Sequence, residues 1–155
     1  MPWPPFACPP NLANHRRGYG RLGLARIVRQ RRSAVDYDGR TRLTLDSFLD
    51  ILDLTLPRAT TPPFDLGLGP ARVHLMLFVH RVDDLAPGLY AWVRQPSDLP
   101  ALKAALHTTF EWRPVAPNPE RTPLYLLQAA ETLDFARTVS CHQDIAADGV
   151  FLSPQ

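Results

Sequence analysis

Residues 72–82 read RVHLMLFVHRV and alternate in the manner of a β-strand. Apolar side chains occupy both faces of this strand. One face carries Val73, Leu75, Leu77 and Val79, and the other carries Met76, Phe78 and Val82 together with His74 and His80. Because a strand that is apolar on both faces is typical of a sheet covered on both sides, we expect a central strand with Leu75, Leu77 and Phe78 buried.

Two further strands are predicted downstream. The pair Pro87-Gly88 is typical of a turn, and the apolar residues 89–93 then form a hairpin with the first strand. Residues 124–127 predict a third strand. The proline-rich segments 57–70 and 111–122 predict loops.

Besides a short helix from Leu22 to near Arg32, three helices are predicted from apolar residues at helical spacing. They are expected from the cap Thr44 to Pro57, from the cap Ser97 to Phe110, and from Glu131 onward. Strands and helices in this order indicate an α+β fold. Residues 1–21 are rich in Pro, Arg and Gly and predict an irregular arm, followed by a domain over residues 22–155.

Charge is distributed unevenly along the chain. The net charge of the 155 residues is +2, but no Asp or Glu precedes Asp36, whereas seven of the 17 basic residues do. The head therefore carries about +7 and the remainder about −5, which favours an anionic ligand near the head. An Arg-rich organellar presequence has a similar charge, but the prolines within residues 1–5 argue against its amphipathic helix.

Other classes of function have less support in the sequence. The aromatic residues do not interleave with basic ones, so nucleic-acid binding is not favoured. No apolar run reaches membrane-spanning length, and we expect a cytoplasmic protein. Cys8 and Cys141 fit neither a metal site nor a disulfide framework, and Cys141 and His142 are neighbours that diverge on a helix. No catalytic residue and no metal ligand is assigned.

The candidate binding residues are Arg31, Arg32 and Ser33. Guanidinium groups hold phosphate through paired N–H donors, and a serine hydroxyl adds a short neutral donor. The triplet is expected at the end of a short basic helix, where the helix dipole repels anions. The side-chain cations must then supply the attraction. A solvated basic patch is the alternative.

Three blocks in order resemble the flavin-dependent nitroreductase superfamily, and within it the SagB-type dehydrogenases. They are QRRSAVDYDG at residues 30–39, FVHRVDDLAPGLY at 78–90 and SCHQDIAADGVF at 140–151. The resemblance implies a nitroreductase-like mixed sheet with flanking helices. It also implies FMN as cofactor, with Arg31, Arg32 and Ser33 contacting its phosphate, and hydride transfer by the flavin ring.

The resemblance also implies partners. Proteins of this superfamily are homodimers with FMN at the subunit interface, and a small molecule or a peptide is the expected substrate. Because the resemblance stops near residue 151, we expect an incomplete domain, a fragment of an FMN-dependent oxidoreductase, and a complementary C-terminal fragment is the other expected partner. A non-catalytic remnant or accessory protein-binding module is the alternative function.

Overall fold

A computed structural model describes residues 29, 40–67, 69–116 and 118–140. The elements in chain order are α1 (Leu45–Asp53), β1 (Leu75–Val79), β2 (Gly88–Trp92), α2 (Leu99–Ala105), β3 (Arg113–Pro114), β4 (Leu124–Ala129) and α3 (Leu133–Val139). The predicted α+β class is confirmed by this arrangement. The predicted arm over residues 1–21 lies outside the described residues.

The strands form one sheet in the order β1-β2-β4-β3, and every pair is antiparallel. The expectation of a mixed sheet is not met among these strands, although Leu43 and Val82 form an isolated parallel bridge. Short connections explain the antiparallel pairing of β1 with β2, because a parallel neighbour needs a long crossover between the strands.

The predicted central position of residues 72–82 is wrong for the described sheet, in which β1 is an edge strand and β2 and β4 are the inner strands. Leu77 is buried, but Leu75 and Phe78 are only partly so, and Val73 is exposed. The physical reason is that apolar faces report the layers above and below a strand. They carry no information about its neighbours within the sheet.

The first sheet face packs against α1. Phe48 and Leu52 of this helix are fully buried against Val79, Tyr90 and Trp92. The predicted cap is confirmed, since the Thr44 side chain accepts a hydrogen bond from the backbone N–H of Ser47 at 3.3 Å. Capping and the apolar face of the helix thus agree in placing α1 over the sheet.

The second sheet face is covered by residues that follow β2 in the chain. Leu89, Ala91, Val93, Tyr125 and Leu127 form its buried cluster, with Leu99, Leu102, Phe110 and Trp112 packed against it. At the β1 edge, the rings of Phe78 and Phe135 meet at 5.7 Å in a T-shaped contact. Two covered faces account for the double apolar pattern of β2, and of β1 only Phe78 packs against the second cluster.

Two local predictions need correction. Ser97 does not cap a helix: it lies in a short 3-10 turn, Pro96–Asp98, where its hydroxyl accepts from Gln95 Nε2 at 3.0 Å. The α-helix instead begins at Leu99, with Pro100 in its first turn, where a missing backbone N–H is tolerated. The predicted loop 111–122 contains β3, whose two residues pair with β4.

Gly88 allows β2 and β4 to approach closely at the start of the hairpin. A Cβ atom at this position would overlap the backbone carbonyl oxygen of Gln128 and also crowd Ala129. Glycine, which the sequence predicts here as part of the turn Pro87-Gly88, is therefore required because β4 lies so close to this position.

Candidate anion site at the hairpin corner

The residues predicted to bind the anion, Arg31, Arg32 and Ser33, lie outside the described residues. The structure does describe residues 40–43, the segment that follows them in the chain, at the point where it joins the sheet. We define the hairpin corner as residues 40–43 together with residues 80–86. It contains the chain just after the first sequence block and the turn within the second.

Backbone hydrogen bonds hold the two segments of the hairpin corner together. The N–H of Leu43 donates to the carbonyl of Arg81 at 3.0 Å, and the N–H of Asp83 donates to the carbonyl of Leu43 at 2.8 Å. Arg42 adds an ion pair from Nε to Asp83 at 2.5 Å, and its Nη2 donates to the carbonyl of Val82 at 3.2 Å. Residues 40–43 are thus fixed directly beside the turn.

The described segments that adjoin the first and third sequence blocks in the chain contact the second block. The first block ends at residue 39, four residues before the bridge between Leu43 and Val82. The second block, residues 78–90, contributes the end of β1, the turn and the start of β2. The third begins at Ser140, immediately after α3, which contacts β1 through Phe135 and Phe78.

Arg81 is the residue of the hairpin corner that the sequence interpretation did not single out. Its Nε and Nη2 atoms are buried, and neither finds a hydrogen-bond partner in the part of the chain that the structure describes. These two nitrogens form one side-on edge of the guanidinium group. Such an edge fits two oxygens of one carboxylate or phosphate group. The sequence signal is weak: an arginine two residues after the end of β1.

Tyr90 lies beneath the hairpin corner and fixes its turn. Its hydroxyl donates to the carbonyl of Ala86 at 2.7 Å. Burial raises the pKa of the Tyr90 phenol to about 12; the nearby Arg113 opposes this shift and Glu111 adds to it. The phenol is therefore a neutral structural donor at physiological pH rather than an acid–base group.

A second polar cluster surrounds His74 at the opposite end of β1. The backbone N–H of Arg94 donates to His74 Nδ1 at 3.2 Å, and His74 Nε2 lies 3.3 Å from a carboxylate oxygen of Asp98. Because Nδ1 acts as an acceptor, Nε2 carries the proton and donates to Asp98. The ring thereby joins the end of β2 to the start of α2, which is a structural role.

Arg94 also has a structural role, because it binds the loop before β1. Its Nε donates to the carbonyl of Thr55 at 2.8 Å, its Nη1 donates to the carbonyl of Val73 at 3.2 Å, and its guanidinium lies 5.8 Å from the Phe64 ring centre. Trp92 Nε1 donates to the Thr55 hydroxyl at 3.0 Å. With its donors engaged in this way, Arg94 fastens the loop to the sheet.

The ranges that the structure describes contain no candidate metal site. Over those ranges, no group of three or more His, Cys, Asp or Glu side chains is placed to hold a metal ion. Cys141 and His142 lie outside them. Among the helices described, none is long and apolar enough to cross a membrane.

Comparison of the chain with protein-family models, with curated proteins and with solved structures found no match. The described residues form an α+β fold with a four-stranded antiparallel sheet.

Proposed function

We propose that the chain is a nitroreductase-like, FMN-dependent oxidoreductase domain of the SagB-dehydrogenase type. The observation that carries the proposal is the set of three sequence blocks in family order. Its support in the structure is spatial, because residues that adjoin the first and third blocks in the chain contact the second block, through Leu43 with Val82 and through Phe135 with Phe78. An α+β fold with helices on both sheet faces is compatible with the proposal.

Arg31, Arg32 and Ser33 are assigned to the FMN phosphate in this proposal. The chain leads from these residues to the hairpin corner, since Ser33 precedes Leu43 by ten residues. The bound flavin supplies hydride transfer, and the protein contributes binding, orientation and electrostatics. The same proposal includes a small molecule or a peptide as substrate. The expected partner is a second copy of the chain, in a homodimer, or a complementary C-terminal fragment. The expected location is cytoplasmic.

FMN titration tests this function. We expect FMN fluorescence to be quenched on addition of the protein, and riboflavin, which has no phosphate, to bind more weakly. Loss of one charge-assisted phosphate contact in Arg31→Ala should weaken FMN binding by about 10- to 150-fold. The matched control is Arg121→Gln, an exposed arginine before β4. Equal FMN affinity in Arg31→Ala and the parent protein would contradict the assignment.

A second function is favoured by one observation, an exposed apolar strip formed by Met76, Phe135 and Val139. These side chains are 43%, 56% and 54% exposed, and they lie beside the Phe78 ring on β1 and α3. Exposed apolar surface next to an edge strand is typical of a protein-binding site. The accessory protein-binding module is therefore the alternative. Two results together would favour this alternative. The purified protein binds no flavin, and sedimentation shows a self-association that the substitution Phe135→Ser abolishes.

A further inference from the structure

The His74 side chain uses both of its ring nitrogens to join separate parts of the fold. We call His74, Arg94 and Asp98 the His74 cluster. Nδ1 accepts a hydrogen bond from the backbone N–H of Arg94 at 3.2 Å, and Nε2 lies 3.3 Å from a carboxylate oxygen of Asp98. Because a backbone N–H can only donate, Nδ1 must present its lone pair, and the ring is neutral with its proton on Nε2. The cluster therefore requires one particular protonation state.

A second proton on the ring is incompatible with this geometry. The proton would come from solvent and bind Nδ1, where it would face the Arg94 N–H across 3.2 Å. Two donors cannot share a hydrogen bond, so this contact would break. The contact with Asp98 would remain, because Nε2 is still a donor and the ring and the carboxylate then carry opposite charges. Protonation thus removes one contact of the ring and keeps the other.

The surroundings of His74 allow its ring to exchange protons with solvent. The side chain is 14% exposed, so a proton can reach it without unfolding of the protein. Two charged groups act on the ring in opposite directions: the Asp98 carboxylate favours the charged ring, and the Arg94 guanidinium disfavours it. The other charged side chains of the neighbouring segments are exposed or paired with one another, namely Arg72 and the ion pair of Asp53 with Arg58.

Arg94 connects the state of the ring to the chain on either side of the loop before β1. Its Nε donates to the carbonyl of Thr55 at 2.8 Å, and its Nη1 donates to the carbonyl of Val73 at 3.2 Å. Thr55 lies just after α1, and Val73 directly precedes His74. Because the backbone N–H and the guanidinium belong to the same residue, loss of the contact with His74 frees the Arg94 main chain and loosens both side-chain contacts.

We propose that His74 is an acid-sensitive switch for the attachment of Thr55 and Val73 to the sheet. Histidine ordinarily changes its charge between pH 5 and 8. At the upper end of this range the neutral ring accepts the Arg94 N–H, and the contacts of Arg94 are complete. At the lower end the charged ring remains with Asp98 and releases Arg94. The inference is separate from the proposed function, since no flavin contact enters it.

NMR spectroscopy of the intact protein between pH 8 and pH 5 tests the switch. At pH 8, long-range proton–nitrogen correlation should place the ring proton of His74 on Nε2. As the pH falls, the amide signal of Arg94 should move with the same midpoint as the His74 ring. Its protection against hydrogen exchange, relative to an unstructured amide at the same pH, should fall about 2- to 12-fold, as for the loss of one hydrogen bond. Exchange of the Arg94 Nε–H should accelerate with the same midpoint, whereas the amide of Leu126 in β4 should keep its protection.

Two variants provide matched controls. In His74→Asn, a side-chain oxygen can accept from the Arg94 N–H in place of Nδ1 and takes up no proton in this pH range, so the response of Arg94 should vanish. His107 is an exposed histidine whose Nδ1 lies 2.8 Å from the Thr109 hydroxyl. The variant His107→Gln should therefore respond as the parent protein does. If His74→Asn does not fold, the titration of the parent protein still decides whether the ring and Arg94 are coupled.

Any one of five results would overturn the proposal. A proton on Nδ1 at pH 8 would show that the ring does not accept from Arg94. Constant protection of the Arg94 amide while the ring titrates would show that the two are not coupled. A ring that stays neutral down to pH 5 would leave no switch in this range. A response that persists in His74→Asn would belong to another group. Equal loss of protection at Arg94 and Leu126 would indicate acid unfolding of the whole protein.

Discussion

Raising the pH should destabilise the fold through Tyr90. Its side chain is 1% exposed and its hydroxyl donates to the Ala86 carbonyl at 2.7 Å. The folded pKa is raised to about 12 from the ordinary value of 10.0. A raised tyrosine pKa means that the folded state disfavours the phenolate. The stability linked to this group is therefore complete below pH 10 and is lost as the pH rises from 10 toward 12.

The size of the effect follows from the shift. One pKa unit corresponds to 1.36 kcal/mol, so full ionisation would remove roughly 2–3 kcal/mol, of which about 1.4 kcal/mol is lost by pH 11. The substitution Tyr90→Phe removes both the titration and the hydrogen bond to Ala86. At pH 8 it should cost about 1 kcal/mol, because the turn carbonyl loses its donor. Near pH 11 the variant and the parent protein should become equally stable.

Urea unfolding of both proteins between pH 8 and pH 11 measures this convergence. Burial also raises the pKa of the Tyr125 phenol, so Tyr125→Phe serves as the matched control for tyrosine ionisation in general. A stability difference between the parent and Tyr90→Phe that stays constant up to pH 11 would refute the reasoning, since it would show that the Tyr90 phenol does not resist ionisation.

Two further outcomes are expected from the sheet. Gly88→Ala should destabilise the fold by about 1–3 kcal/mol or more, because its Cβ meets the Gln128 backbone rather than a movable side chain; an unchanged urea midpoint would contradict the close approach. In native-state hydrogen exchange, the amides of β2 should be the slowest to exchange, because β2 is paired on both sides. Slower exchange throughout β1 than in β2 would contradict the strand order.

Much of the local structure follows from side-chain pattern. The apolar spacing of residues 45–56 and the hydroxyl of Thr44 predict α1, which the structure confirms. The hairpin of β1 and β2 and the position of β4 follow from apolar runs separated by turn residues. These features could be predicted because the information for each lies within a few residues of chain.

Strand order and the candidate site depend on residues far apart in sequence. The edge position of β1 arises because β4, more than thirty residues after β2, pairs with the free side of β2. The ion pair at the hairpin corner likewise joins Arg42 to Asp83, which are 41 residues apart in the sequence. Local patterns record which faces are apolar, but pairing within a sheet and the partners of a charge are set by packing between distant segments.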